Sequence, residues 1–195
     1  VLIPRPETEE LVALIIRENQ NCRGRIVDIG TGSGCIAVSL AKNIPSAQVC
    51  AVDISEKALN VARENARKND VNVDFFHGDM QDESFMSQLS GCEVIVSNPP
   101  YVCMSEKPLM RPNVLDFEPH LALFVTDENP LQFYESIARF TSKNLVKGGQ
   151  FYCEINETLG ADTKRLFEHF GFSQCEIVTD LFGKDRFVKG KKSEF

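Results

Sequence analysis

The sequence predicts an α/β domain: a mostly parallel sheet with helices packed on both faces. Three observations predict it. Short apolar, β-branched runs alternate with helix-period segments from one end of the chain to the other. A glycine-rich turn directly follows the first clear apolar run, and an acidic residue closes the second. Strands that alternate with helices of this length pair in parallel, because each return to the sheet needs a crossover helix.

In chain order, Glu7–Glu18 reads as a helix led by proline and Arg25–Ile29 as the first central strand. Gly30–Gly34 turns, and Cys35–Asn43 is a helix. Gln48–Val52 is the next strand. In Ser55–Asn69, Ala58, Leu59, Ala62 and Ala66 share one helical face, with Ser55 as N-cap and Glu56 in the first turn. Val73–His77 and Val94–Ser97 are strands, Pro130–Leu145 and Leu159–Phe170 are helices, and Gln150–Ile155, Cys175–Thr179 and Arg186–Lys189 complete the sheet. Val102–Thr126 has no clear period and reads as a long functional loop. In open α/β sheets, ligands bind beyond the carboxyl ends of the strands, where the strand order reverses. Every motif below sits just after a predicted strand.

A length of 195 residues suits one domain spanning 1–195, with 43% hydrophobic and 25% charged residues. The formal net charge of −7 argues against a stable nucleic-acid partner, since sequence-independent binding needs many Lys and Arg contacts to phosphates. Lys184, Arg186, Lys189, Lys191 and Lys192 form only a modest basic cluster. The seven cysteines are scattered without a C-x-x-C pair, which disfavours a zinc site and points to a reducing, cytoplasmic compartment. No apolar run approaches about 18 residues, so no membrane-spanning helix is expected, and no signal peptide is recognisable.

Asp28-Ile29-Gly30-Thr31-Gly32-Ser33-Gly34 lets the backbone turn tightly and approach a ligand without Cβ interference. Cys35 replaces the third glycine of the G-x-G-x-x-G fingerprint, and no Lys-Ser or Lys-Thr pair makes a P-loop. Asp53, closing Ala51-Val52-Asp53 before Ile54, can accept hydrogen bonds from both hydroxyls of an adenosine ribose; it is equally suited to cap the following helix. The two features together favour adenosine binding, by either NAD or S-adenosylmethionine (SAM). In Phe76-His77-Gly78-Asp79-Met80, Asp79 is placed to take an adenine amino group and Met80 to lie on the ring face; a solvated turn beside a core methionine is the bland alternative.

Asn98-Pro99-Pro100-Tyr101 carries the chemistry. Two prolines fix φ and remove two N–H donors, so the turn is stiff and presents acceptors. The Asn98 side-chain oxygen and the Pro99 carbonyl then match the two coplanar hydrogens of an NH2 group, and Tyr101 can stack on a planar acceptor. The structural alternative is a rigid turn ending a strand.

This tetrapeptide after the fourth strand of the glycine-loop sheet resembles the amino-methyltransferases of adenine, cytosine or glutamine amides. The opening Val1-Leu2-Ile3-Pro4-Arg5-Pro6-Glu7-Thr8-Glu9 narrows the likeness to the HemK/PrmC family of protein-(glutamine-N5) methyltransferases. Phe117-Glu118-Pro119-His120-Leu121-Ala122-Leu123, the Gly148-Gly149 turn and Asp180-Leu181-Phe182-Gly183-Lys184-Asp185-Arg186 fit the same pattern. The resemblance implies a Rossmann-like class I SAM-dependent methyltransferase fold with a mostly parallel seven-stranded sheet. It implies SAM as cofactor and, as protein substrate, the glutamine of a Gly-Gly-Gln motif in class 1 peptide-chain release factors. It assigns Gly30, Thr31, Gly32, Ser33 and Gly34 to the methionine moiety, Asp53 with Ile54 to the ribose side, and Asp79 and Met80 to the adenine. Asn98 would border the cofactor, Asn98, Pro99 and Tyr101 would be catalytic, and Asn98 through Tyr101 would hold the substrate. Arg5–Glu9 would close over the cofactor. Met80 stands where some members carry an aromatic residue. The family has an N-terminal helical domain ahead of the opening motif, so the expectation is a catalytic domain without it. Two rivals remain: a nucleic-acid amino-methyltransferase acting on a flipped base, and a binding module without catalysis.

Overall fold

The computed structural model describes residues 1–82, 85, 87–110, 115 and 118–193. Helix α1 (Pro6–Glu18) starts at the proline, whose missing N–H costs nothing at a helix N-terminus, and it buries Thr8, Leu11, Leu14 and Ile15. Strands β1 (Arg25–Ile29), β2 (Gln48–Asp53), β3 (Asp74–His77) and β4 (Cys92–Ser97) enclose helices α2 (Cys35–Asn43) and α3 (Glu56–Lys68). Ser55 caps α3, accepting a hydrogen bond from the Ala58 N–H at 3.3 Å. Two short strands follow, β5 (Val102–Cys103) and β6 (Phe124–Val125), then α4 (Gln132–Asn144), β7 (Leu145–Glu154), α5 (Gly160–His169), β8 (Phe172–Thr179) and β9 (Asp185–Lys192).

The main sheet runs β3-β2-β1-β4-β7-β9-β8, and β9 is antiparallel to both its neighbours. Side-chain alternation divides the core. Val27, Ile29 and Ile95 face α4 and α5 with Tyr134, Phe140 and Phe167; Ile26, Val94 and Val96 face α1 and α2 with Leu11, Ile15, Ile36 and Leu40. The central strands β1, β2 and β4 are buried on both faces, which is why they read as continuous apolar runs. No helix among the described residues is long and apolar enough to cross a membrane.

The chain order reverses between β1 and β4, and the register there decides what the edge of the sheet displays. Ile29 lies beside Val52 of β2 and beside Ser97 of β4; Ser97 in turn lies beside Cys153 of β7. The next residue of each strand therefore forms one row: Asp53, Gly30, Asn98 and Glu154.

Sequence and structure differ mainly in extent. β7 begins at Leu145 rather than Gln150, because Leu145 pairs with Cys92 across a register shift that absorbs Gly148 (φ +75°). β9 continues through the polar Lys189-Gly190-Lys191-Lys192, since backbone pairing to β7 and β8 sets strand length there, not side-chain hydrophobicity. The stretch expected as a loop at Val102–Thr126 contains, in its described part, the parallel pair β5–β6 and 3-10 turns at Met104–Leu109 and His120–Ala122. Phe117 of the motif beginning there lies outside the described residues.

Gly34 marks a close approach between helices. It is left-handed (φ +78°), and a Cβ there would stand 2.8 Å from the Ala62 Cβ of α3. Gly171, after α5, is also left-handed (φ +87°) but has open space around it. Gly34→Ala is expected to cost about 2–5 kcal/mol, combining left-handed strain with overpacking. Gly171→Ala should cost only the strain, about 1–2 kcal/mol. Urea denaturation of both variants checks this; equal losses would mean that α3 yields to the extra methyl freely.

Candidate active site

The glycine turn is held from below. The N–H groups of Gly30 and Thr31 both donate to the Val52 carbonyl at 2.9 Å, folding the turn over the end of β2. Gly30 (φ +71°) and Gly32 (φ +57°) take left-handed conformations that other residues adopt only with strain. A Cβ on Gly30 would meet nothing within 4 Å, and one on Gly32 would meet only the Gly30 carbonyl at 4.0 Å. Space above these two residues is therefore open, unlike that at Gly34. Ser33 is buried, and its carbonyl accepts a hydrogen bond from Asn65 Nδ2 at 2.9 Å.

Asp28, which the sequence reading included in the loop without a role, anchors it. Its Oδ2 accepts from Thr31 Oγ1 at 2.6 Å and from the Ala37 N–H at 3.2 Å. Its Oδ1 is buried with no partner among the described residues. Burial pushes the carboxyl up to about 7, against the opposing pull of those two hydrogen bonds. A buried oxygen left without a donor beneath an open backbone turn suits a ligand that brings donors.

Asp53 resolves an ambiguity. The cap of α3 is Ser55, so capping does not account for the aspartate. Asp53 Oδ2 instead accepts from the Gly32 N–H at 2.8 Å and Oδ1 from the Ser55 N–H at 2.8 Å. Each carboxylate oxygen retains acceptor capacity for a second donor. The carboxylate thus locks the glycine turn to β2 while facing the same opening. Ile54 beside it is 57% exposed, an apolar surface next to the carboxylate. The Gly78 N–H donates to the Asp53 carbonyl at 3.1 Å, bringing the following turn alongside; there Asp79 Oδ1 accepts from the Gln81 N–H at 2.8 Å. Met80 packs partly into the core. Met80 also lines a cleft of about 530 Å³ with Gln132, Arg139 and Phe140, which includes none of Gly30, Asp53 or Asn98.

Across the switch point, Asn98 leaves β4 with Pro99 buried and Pro100 and Tyr101 half-buried. Asn98 Nδ2 donates to Thr8 Oγ1 at 3.2 Å, and Thr8 Oγ1 donates to Glu154 Oε2 at 2.9 Å. The Tyr101 hydroxyl donates to the other oxygen, Glu154 Oε1, at 2.9 Å. Asn156 Nδ2 holds the Tyr101 carbonyl at 3.2 Å. Burial raises the Glu154 carboxyl above its ordinary range, while the bonds from Thr8 and Tyr101 pull it back. Burial, then the neighbouring Glu154 charge, pushes the Tyr101 phenol well up, so it stays a donor.

Glu154 and Asn156 were missed in the sequence, and Thr8 was read only as part of the Arg5–Glu9 segment. The available signal was a lone carboxylate inside the apolar run Phe151-Tyr152-Cys153-Glu154-Ile155, at the carboxyl end of a strand. Of the opening segment Arg5–Glu9, only Arg5 stands outside a helix, and it donates twice to the buried Glu118, at 2.6 and 2.8 Å. The segment is therefore clasped to the 118 region. Asp180 organises the β8–β9 turn, accepting from the Phe182 and Lys184 N–H groups and from Arg186 Nε.

A sequence profile of the family described as "Methyltransferase small domain" matches residues 8–110. A release factor glutamine methyltransferase of Bacteroides thetaiotaomicron is 50% identical over 98% of this chain and 68% of its own length. The protein of the same name from Flavobacterium psychrophilum is 48% identical over 96% of this chain and 67% of its own. Among solved structures, a ribosomal protein L11 methylase from Lactobacillus delbrueckii superposes with a TM-score of 0.69 at 18% identity, over 98% of this chain and 81% of that one. TrmN from Thermus thermophilus does so with a TM-score of 0.64 at 21% identity, over 93% and 48%. These two share the fold. The chain belongs to the release factor glutamine methyltransferase family, SAM-dependent enzymes on a class I methyltransferase fold.

Proposed function

We propose that this chain methylates the side-chain amide nitrogen of the glutamine in the Gly-Gly-Gln motif of class 1 peptide-chain release factors. One observation carries the reading: Asn98 stands in the same row as Gly30 and Asp53, with its Nδ2 already engaged by Thr8. An asparagine whose NH2 is occupied offers an oxygen, and an oxygen suits an acceptor that brings N–H groups. The names of the relatives supply the glutamine and the release factor.

The bound cofactor supplies a methyl group on a positively charged sulfur. The residues of this chain bind and orient. Gly30–Gly34 hold the amino-acid portion through backbone that approaches closely, with Thr31 and Ser33 in the same turn. Asp53 takes the ribose hydroxyls, with Ile54 beside them, and Asp79 and Met80 take the adenine. Asn98 Oδ1 and the Pro99 carbonyl accept the two hydrogens of the substrate amide, Pro100 stiffens that geometry, and Tyr101 walls it. An amide nitrogen is a poor nucleophile because its lone pair is delocalised. As the nitrogen acquires positive character, both hydrogen bonds strengthen, so the clamp favours the transition state over the ground state. Alignment supplies most of the remainder, with reacting atoms about 3–3.5 Å apart beforehand.

Incubation with labelled SAM and a release factor, followed by mass spectrometry, is expected to show one added methyl on that glutamine and none after its change to Ala. Label on added DNA, with the protein untouched, would assign the site to a flipped base instead. Asp53→Ala should weaken SAM binding by about 1.5–3 kcal/mol, read by calorimetry. Unchanged affinity with the fold intact would reduce Asp53 to a lock on the turn. Asn98→Ala should lower the single-turnover rate by about 10²-fold, with SAM affinity little altered. A rate within twofold of wild type would rule out the amide clamp.

A further inference from the structure

A buried relay runs from the opening helix to the acceptor site. Glu154 is 1% exposed and Thr8 is 4% exposed. The Thr8 hydroxyl has a single proton, and it points at Glu154 Oε2. Toward Asn98 the same oxygen is left only its lone pairs, and an oxygen acting as acceptor selects the NH2 end of the Asn98 amide. The carboxylate cannot play the opposite part, because an ionised Glu154 has no proton to give. Its other oxygen is engaged by Tyr101, so one carboxylate sets both ends of the tetrapeptide. Donor and acceptor directions thus run one way along Asn98, Thr8 and Glu154.

We propose that Glu154, acting through Thr8, is a positioning residue that fixes the orientation of the Asn98 amide, holding Oδ1 rather than Nδ2 toward the substrate nitrogen. The inference rests on the glutamine-methylation reading for its effect on rate, although the amide orientation itself stands without it. It assigns a task to Thr8 of the opening motif: α1 starts at Pro6, which puts Thr8 in its first turn, between Asn98 after β4 and Glu154 at the end of β7. An amide free to rotate would present Nδ2 part of the time, setting N–H against N–H at the acceptor.

Thr8→Val keeps the shape and removes the hydroxyl, whereas Thr8→Ser restores it. Two measurements read the result. The first is the NMR signal of the Asn98 side-chain NH2, assigned by its loss in Asn98→Asp. Slow hydrogen exchange is expected in wild type and Thr8→Ser, and faster exchange in Thr8→Val. The second is methylation of a release factor: Thr8→Val should lower kcat about tenfold, the scale of one hydrogen bond, with SAM affinity unchanged and Thr8→Ser near wild type. Glu154→Gln offers one acceptor oxygen to two donors and should reproduce the loss. An Asn98 NH2 signal indifferent to Thr8→Val, or a kcat equal to wild type, overturns the proposal. A wild type that shows the slow NH2 signal yet leaves the glutamine unmethylated supports the orientation and overturns the glutamine reading alone.

Discussion

Backbone hydrogen bonding sets Ile29 level with Val52 on one side and with Ser97 on the other, and Ser97 level with Cys153. Because side chains alternate along a strand, a slip of one residue would exchange the faces of β1 and drive Val27 and Ile29 out of their core. Hydrophobic burial on both faces therefore pins this register, and the register in turn brings Asp53, Gly30, Asn98 and Glu154 to one edge. The glycine-turn side and the Asn98 side meet where chain order reverses between β1 and β4, the place where open α/β sheets form a crevice.

On the Asn98 side, a carboxylate, Glu154, sits where burial makes charge costly. An isolated buried carboxylate would take up a proton or destabilise the fold. Glu154 is kept by hydrogen bonds to each oxygen, from Thr8 and from Tyr101, which come from the opening helix and from the tetrapeptide. Removing either partner would leave a buried acceptor unsatisfied, at about 1–3 kcal/mol. Such a network ties α1, β4 and β7 together and makes their relative placement unique rather than merely compact.

The glycine-turn side works by different means. Glycines there serve two separate needs: Gly34 admits α3, while Gly30 and Gly32 leave space above the turn. Asp53 couples that turn to β2 through Gly32, and Asp28 couples it to β1 from beneath through Thr31. Two carboxylates thereby shape a backbone cradle, leaving one buried oxygen of Asp28 without a partner among the described residues.

Much of this was legible in the sequence. The central strands, the helices between them, the glycine turn, Asp53 and the Asn98–Tyr101 tetrapeptide are local patterns, because period, turn chemistry and capping are properties of neighbouring residues. Ser55 could be read as the cap of α3 from its own flanks. What the sequence could not decide was which distant side chains meet. Thr8 and Glu154 are separated by 146 positions, and Arg5 and Glu118 by 113. Nothing in the spacing of a threonine and a glutamate states that one will donate to the other. The lengths of β7 and β9 were likewise settled by pairing with neighbours rather than by their own polarity. Local chemistry named the groups at the edge of the sheet where chain order reverses; the sheet register and the packing of α1 against it decided which groups hold them in place, because those contacts exist only once the chain has closed on itself.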